Sequence, residues 1–131
     1  MLELVASLLI DLSKQRLTAY GASRQPIYSA LVSTGLPSTP TPSGQFTIGA
    51  KYSRTTLTGA TYRTPPVPDV ICLAGGGLKP DAICIHPAPW QEAAGQCFGV
   101  TRSHGCIRTS RATARWLFQH TRIGTPVTIQ P

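Results

Sequence analysis

Short segments in which apolar and polar residues alternate dominate the chain. A period of two along such a segment is typical of a half-buried strand. The first two segments flank a polar turn at residues 11–15 and predict an opening β-hairpin. In chain order, strands are predicted at residues 4–11, 16–20, 26–34, 45–52, 81–86 and 126–130. The pattern therefore favours a mainly β fold, with sandwich-like mixed sheets and one or two short helices.

The predicted strand before the proline at position 87 has two chemically different faces. Its period of two places Ala82, Cys84 and His86 on one face. Ile83 and Ile85 lie on the opposite face. The pattern therefore separates the isoleucines from the face that carries His86, which lies at the end of the strand.

One segment near the carboxyl end has helical periodicity instead. Residues 111–120 place Ala114, Leu117 and Phe118 on one side and arginines on the other. Ser110 precedes them and is a suitable N-cap, because its hydroxyl oxygen accepts hydrogen bonds from the first free N–H groups of a helix. We predict a helix from about residue 111 to residue 120.

Two long segments lack clear periodicity. Residues 35–44 contain three prolines, which fix φ and remove backbone donors, so this segment is predicted to be a stiff loop. Residues 53–80 contain four further prolines and three consecutive glycines. Such a long irregular stretch in a small domain indicates either a functional flap over a site or short strands that the pattern does not resolve.

The length of 131 residues indicates one domain, residues 1–131, that can bury a core of its own. Charged residues make up only 13%, yet the formal net charge is +7. After Glu92 there are five arginines and no acidic residue. An anionic partner is therefore expected, and charge alone fits nucleic acid, acidic lipid or a carboxylate-rich cell-wall polymer. No nucleic-acid-binding motif is present, which favours a solvated basic face over a nucleic-acid partner.

No apolar run approaches the length of a membrane span. Residues 1–10 are apolar, but they carry Glu3 where a signal peptide has basic residues and continue without a convincing cleavage site. This segment is interpreted as a strand, so no signal peptide is visible.

Four cysteines could form two disulfides, but a domain of this length does not require them. Cys106 is expected to be free. Cys72 and Cys97 are interpreted as buried or loop thiols, and a bridge between Cys84 and Cys97 remains open.

The most distinctive sequence is Ser-His-Gly-Cys-Ile-Arg at residues 103–108, with Ile-His-Pro-Ala-Pro-Trp upstream at residues 85–90. A cysteine is a strong nucleophile only as the thiolate and needs a base and oxyanion donors nearby. His86 can serve as the base for Cys106. Gly105 has no side chain, so backbone N–H groups beside the thiol can approach a bound carbonyl. The residues alone favour a cysteine acyltransferase or hydrolase.

A metal site is the main alternative. Cys84-x-His86 and His104-x-Cys106 are symmetric pairs of ligand types that could form a tetrahedral zinc site. Neither half has the usual gap of two to four residues between cysteines. A zinc-stabilised or basic binding module without catalysis is therefore the second interpretation.

These segments resemble the signature of the L,D-transpeptidase catalytic domain, the YkuD-type family of bacterial cell-wall enzymes. The signature pairs an upstream histidine with a Ser/Thr-His-Gly-Cys segment, and here sixteen residues, 87–102, separate the two. Residues 11–17 resemble the opening hairpin of the family, and residues 33–44 with Phe46 resemble its proline-rich loop. The likeness covers most of the chain and implies the fold of this catalytic domain.

The resemblance implies that Cys106 attacks a peptide carbonyl of a peptidoglycan stem and forms a thioester. His86 would be the base, oriented through the backbone carbonyl of Pro87. His104 would shape the pocket or contact substrate, and the N–H groups of Gly105 and Cys106 would stabilise the oxyanion.

Further residues would bind substrate. Arg108 would pair with a stem carboxylate, because a guanidinium binds carboxylates in bidentate fashion. Trp90 would line the cleft, beside Ser103 and Pro87.

The resemblance also implies partners and a compartment. The acyl acceptor would be a second stem or a lipoprotein, whereas water would give a carboxypeptidase. Carbapenems and other β-lactams would be inhibitors, no metal or organic cofactor would be required, and the protein would work in the bacterial cell envelope or periplasm.

Overall fold

A computed structural model describes residues 3–59 and 62–131. Its described residues form eight strands and two helices, which are, in chain order, β1 (Ser7–Asp11), β2 (Arg16–Tyr20), β3 (Pro26–Leu31), β4 (Gly44–Thr55), β5 (Val67–Ala74), β6 (Cys84–Pro87), α1 (Pro89–Ala93), β7 (Ile107–Thr109), α2 (Arg111–His120) and β8 (Pro126–Gln130). The prediction of a mainly β fold with mixed pairing and short helices is confirmed. Met1 and Leu2, which belong to the apolar segment interpreted as a strand, lie outside the described residues.

The strands form one mixed sheet in the order β3-β2-β1-β8-β4-β5-β6-β7. The β1–β8 and β6–β7 pairs are parallel and the other neighbours are antiparallel. Beyond the end of β3, Ser33 and Arg108 exchange two backbone hydrogen bonds of 2.9 and 2.8 Å. The two ends of the sheet are therefore brought together, and the segment after β3 lies beside β7, the strand that follows Cys106.

Two hydrophobic clusters lie on the sheet. The larger contains Ile83 and Ile85 together with Leu117 of α2. The smaller contains the three cysteines Cys72, Cys84 and Cys106, packed with Leu57, Val67 and Val70. The expected separation of the isoleucines from Cys84 is therefore confirmed. The face of β6 that carries Cys84 packs into the smaller cluster.

Helix α2 has the predicted bounds. Ser110 Oγ accepts a hydrogen bond of 3.1 Å from the Thr113 N–H, as expected for an N-cap. Ala114 and Leu117 are buried, and Arg111 and Arg115 are exposed. The helix directly follows β7. Its Leu117 packs in the larger cluster with Ile85 of β6 and Ile107 of β7. Neither α1 nor α2, the helices of the described part, is long and apolar enough to cross a membrane.

The segment 53–80 contains more regular structure than its sequence indicated. Strand β4 continues to Thr55, and β5 occupies Val67–Ala74. Of the two alternatives left open for this segment, the short strands are therefore present, because the buried residues Val67, Val70 and Ile71 pair with β4 despite the neighbouring prolines. The loop between these strands, residues 56–66, is called the flap loop below. It closes with a bridge between Thr58 and Arg63, and Ala60 and Thr61 within it lie outside the described residues.

Candidate active site

Cys106 lies directly before β7 and is 5% exposed. Strand β7 runs parallel to β6, with Ile85 paired to Ile107 and His86 to Arg108. Because side chains alternate along a strand, His86 and Cys106 lie on the same face of neighbouring strands. The structure thus brings together the two residues that the sequence separates by nineteen positions, 87–105.

The turn before Cys106 is held by side chains. Ser103 Oγ accepts a hydrogen bond of 3.1 Å from the Gly105 N–H and donates one to the Cys106 carbonyl. Thr41 Oγ1, in the proline-rich loop, donates to the Gly105 carbonyl at 2.6 Å. Gly105 has φ +131°, a conformation that side chains with Cβ rarely adopt. Glycine is required here by the backbone of the turn.

These contacts change one expectation from the sequence. The Gly105 N–H was a candidate oxyanion donor, but in this structure it donates to Ser103 Oγ. The hydroxyl of Ser103, a candidate substrate-binding group, already makes hydrogen bonds to the backbone of this turn, at Gly105 and Cys106. Of the two expected oxyanion donors, the Cys106 N–H therefore remains.

The Cys106 thiol has three polar neighbours. The Cys84 N–H donates to Sγ at 3.3 Å, the Tyr62 hydroxyl lies 3.8 Å from Sγ, and the Ala82 carbonyl lies 3.9 Å from it. Burial raises the pKa of the Cys106 thiol, whereas the Cys84 N–H, Tyr62 and the charge of Arg108 oppose that rise. Because burial is the largest effect, the resting thiol is mainly protonated at neutral pH.

His86 is 3% exposed, and its Nδ1 lies 2.7 Å from the Pro87 carbonyl oxygen. A carbonyl only accepts, so Nδ1 carries the proton and Nε2 is left as the basic nitrogen. The pKa of His86 is lowered to about 4, mainly by burial; the hydrogen bond to the Pro87 carbonyl opposes this shift, and the charge of Arg108 adds to it. His86 is therefore neutral at neutral pH, as a general base must be.

The two pKa shifts indicate that the Cys106 thiol and the His86 ring are both neutral at rest. A resting thiolate–imidazolium pair requires a low thiol pKa and a high imidazole pKa, and both are displaced the other way. The hydrogen bonds of Sγ described above do not include the His86 ring. Catalytic hydrogen bonds are often long in the absence of substrate and tighten in the complex, so this resting arrangement is compatible with general-base catalysis.

A cavity of about 310 Å³ lies beside this pair. Its described lining residues include two arginines and no acidic residue, and they are Tyr62, Arg63, Thr64, Pro65, Trp90, His104 and Arg108. Three of the expected site residues, Trp90, His104 and Arg108, therefore line one space. The two guanidinium groups suit an anionic ligand.

Aromatic contacts shape this cavity. The exposed His104 ring stacks on Tyr62, with ring centroids 5.1 Å apart. Trp90 lies 6.0 Å from the His86 ring, and the Arg108 guanidinium lies 5.5 Å from the Trp90 ring. Trp90 thus fixes the half-buried Arg108 close to the candidate base.

The sequence did not identify two contributors to the site. Tyr62 comes from the irregular flap loop, where no periodicity or motif marks it. Thr41 belongs to the proline-rich loop, and only its distant contact with Gly105 reveals its role.

The cysteine pairing also differs from the alternative left open by the sequence. Cys72 and Cys84 form a disulfide, with their Cα atoms 3.9 Å apart on β5 and β6. Cys97 is an exposed free thiol, so the Cys84–Cys97 bridge is wrong. Cys106 is free, as expected. The disulfide also removes Cys84 from the four ligands of the alternative zinc site, because a bonded sulfur is no longer a thiolate.

Burial of neutral His86 predicts a loss of stability in acid. Between pH 6.5 and about 4 the unfolded state binds a proton that the folded state excludes, so stability falls as the pH falls through this window. The full difference in pKa corresponds to roughly 3 kcal/mol in the free energy of unfolding. Urea unfolding at about pH 7 and at about pH 4.5 measures the corresponding change in the free energy of unfolding.

His86→Gln should lose most of this pH dependence, because glutamine does not titrate. His104→Gln is the matched control, since His104 is exposed and the variant should keep the dependence. Equal pH dependence in His86→Gln and the unchanged protein would contradict the assignment of this window to His86.

Comparison with known proteins identifies relatives of this chain. The family model described as YkuD, L,D-transpeptidase catalytic domain, matches residues 6–129. L,D-transpeptidase 2 of Mycobacterium tuberculosis is 27% identical over 108 residues, which are 75% of this chain and 24% of the relative. Probable L,D-transpeptidase 3 of the same species is 32% identical over 102 residues, 75% of this chain and 37% of the relative.

Solved structures agree with the sequence relatives. A mutant of the Enterococcus faecium L,D-transpeptidase superposes with a TM-score of 0.81 and 26% identity, over 96% of this chain and 50% of that chain. The avibactam carbamoyl enzyme of Ldtfm superposes with a TM-score of 0.80 and 28% identity, over 96% and 49%. The chain thus spans about half or less of the length of these relatives. Because the family model covers nearly the whole sequence and the fold matches, the chain belongs to the YkuD family of L,D-transpeptidase catalytic domains.

Proposed function

We propose that this protein is an L,D-transpeptidase that acts on peptidoglycan stem peptides through a thioester on Cys106. The observation that carries the proposal is the neutral His86, whose Nδ1 lies 2.7 Å from the Pro87 carbonyl on the strand beside Cys106. This contact leaves Nε2 unprotonated on the face of the sheet that carries the thiol. Membership of the family supports the same reaction.

In the first step, His86 Nε2 takes the proton of the Cys106 thiol as the sulfur bonds to the carbonyl carbon before the terminal D-alanine. The carbon–nitrogen bond then breaks, and the leaving amine takes the proton from His86. The product is a thioester and free D-alanine. The Cys106 N–H is the oxyanion donor in this proposal, and one such donor is typically worth about 3–4 kcal/mol.

In the second step, an amine attacks the thioester and releases the thiol. His86 takes a proton from the amine and returns one to the sulfur, so the enzyme is regenerated without a cofactor. A second stem or a lipoprotein would supply the amine, and water in its place would give a carboxypeptidase. These acceptors are found in the bacterial cell envelope, which we propose as the site of action.

The charges of the cavity support a stem peptide as the donor. Arg63 and Arg108 line it without an opposing carboxylate among the described lining residues. Arg108 is held over Trp90 and against Gln91 Oε1 at 3.5 Å, so its guanidinium is partly ordered before substrate binds. We propose that it pairs with a stem carboxylate, with His104 and Trp90 forming the cavity walls.

β-Lactams are proposed as covalent inhibitors that acylate Cys106. The relative that is 28% identical is described as an avibactam carbamoyl enzyme, so that relative is modified by an acylating inhibitor of another class, a cyclic urea. A β-lactam carbonyl is an acylating agent of the same kind as the stem carbonyl, so the same thiol and base serve both reactions.

Incubation with peptidoglycan fragments whose stems end in D-alanine tests the proposal. We expect mass spectrometry to show loss of alanine, with or without cross-linked dimers.

Arg108→Gln should lower kcat/KM about tenfold or more, mainly through KM, because it removes a charge-assisted hydrogen bond to the stem. Arg115→Gln is the control, since Arg115 is exposed on α2 and should leave the rate unchanged. Intact fragments after incubation with the wild-type protein would contradict the transpeptidase proposal, and a normal KM in Arg108→Gln would contradict the role of Arg108.

A further inference from the structure

The disulfide between Cys72 and Cys84 lies against the candidate nucleophile. We infer that this disulfide is a positioning element for Cys106: it fixes the backbone of Cys84, whose N–H donates to Cys106 Sγ, and thereby keeps the thiol reactive. Loss of the disulfide is then expected to lower the reactivity of Cys106. The inference rests on the proposed role of Cys106 as the nucleophile.

Cys84 is connected on both sides. Its side chain bonds to Cys72 on β5, and its N–H points toward β7, where it meets Cys106 Sγ at 3.3 Å. This is the shortest of the three polar contacts of the sulfur. All three cysteines are at most 5% exposed and share one apolar cluster, so water offers little replacement for a lost donor.

The backbone before Cys84 gives it little other support. Residues 75–83 connect β5 to β6 and begin with three consecutive glycines that all have positive φ. The β5–β6 pairing comprises Ile71 with Ile85 and Cys72 with Cys84, and one further backbone hydrogen bond of 2.9 Å joins the Leu73 N–H to the Ile83 carbonyl. Cys84 is therefore the first residue of a short strand at the end of a glycine-rich loop. The covalent bond to Cys72 adds a fixed link to this short ladder and so restrains the position of the Cys84 N–H.

The chemistry of the thiolate makes this N–H important. Burial raises the pKa of Cys106, and among the groups that oppose the rise the Cys84 N–H has the largest effect. The others are Tyr62 from the flap loop and Arg108 on β7. Tyr62 stays protonated, because burial raises its pKa to about 12. His86 on β6 is neutral, and His104 stacks on Tyr62 beside it. These groups remain when the disulfide is lost, so a change in thiol pKa would report on Cys84.

The test uses Cys97→Ser protein, in which Cys106 is the single free thiol. It is compared with the triple variant Cys72→Ala/Cys84→Ala/Cys97→Ser, in which Cys106 is the single cysteine. Alkylation of Cys106 by iodoacetamide is followed from about pH 6 to about pH 10. We expect the midpoint of the pH profile to lie higher in the triple variant. Its alkylation rate at neutral pH should be about tenfold lower for each pH unit by which this midpoint rises. The two rates should converge at high pH, where both thiols are ionised.

Controls separate positioning from folding. Unmodified protein should titrate as two free thiols, and four would overturn the inference. An identical pH profile in a folded triple variant would also overturn it. If the alanine variant does not fold, Cys72→Val/Cys84→Val in the same Cys97→Ser background fills the space better and replaces it. If neither folds, the disulfide serves folding, and the positioning role is overturned.

The same samples distinguish this inference from the proposed function. Iodoacetamide requires only a thiolate, whereas release of alanine from a stem peptide requires the whole site. A displaced alkylation profile without any stem cleavage by the parent protein would retain the role of Cys84 and reject the transpeptidase. Stem cleavage with identical alkylation profiles would do the reverse.

Discussion

Cys106→Ala is expected to abolish the covalent adduct that we propose for the wild-type protein with imipenem, a carbapenem. Acylation requires a sulfur that can bond to the β-lactam carbonyl, and alanine retains only the Cβ of the side chain. The intact mass of the wild-type protein should rise by one inhibitor, whereas the variant should keep its original mass. The fold should survive, because the change removes one buried sulfur and leaves the Cys72–Cys84 disulfide intact.

Cys97→Ala is the matched control for this experiment. Cys97 is the other free thiol, but it is exposed and lies outside the cavity. Its variant should acquire the adduct at the wild-type rate. An adduct on Cys106→Ala, or a wild-type protein that never reacts, would refute Cys106 as the acylated residue.

His86→Gln is expected to slow acylation about 10²–10⁴-fold at neutral pH, the usual range for a lost general base. Burial raises the pKa of Cys106, so without a base the thiol ionises only to a small extent near pH 7. The defect should shrink as the pH rises, because hydroxide then generates the thiolate without His86. Rates of imipenem acylation from about pH 6 to about pH 10 measure both effects.

The wild-type profile has its own expected shape. The rate should fall on the acid side as His86 takes up a proton, and its pKa of about 4 places this fall well below neutrality. His120→Gln serves as the control, because His120 lies in the last turn of α2 and outside the cavity. A His86→Gln defect that is constant across pH would indicate that His86 acts by holding the structure and does not transfer the proton.

Local patterns along the chain determined a large part of the fold. The bounds of α2 follow from one N-cap serine and an apolar stripe, both of which act within a few residues. Alternation placed Ile85 in the main core and His86 on the opposite face. The motif at residues 103–108 indicated the nucleophile because glycine and cysteine there are adjacent in sequence and their roles are local.

Tertiary structure decided which groups surround the thiol. The Cys72–Cys84 bond, the Tyr62 hydroxyl beside Sγ and the hydrogen bond from Thr41 to the Gly105 carbonyl all depend on side chains brought together from separate segments. No periodicity encodes these contacts, because each depends on the register of β5 with β6 or on the course of an irregular loop. The sequence by itself indicated which residue is the candidate nucleophile, whereas the folded chain decided its pKa, since burial and hydrogen bonding exist only after the strands have packed.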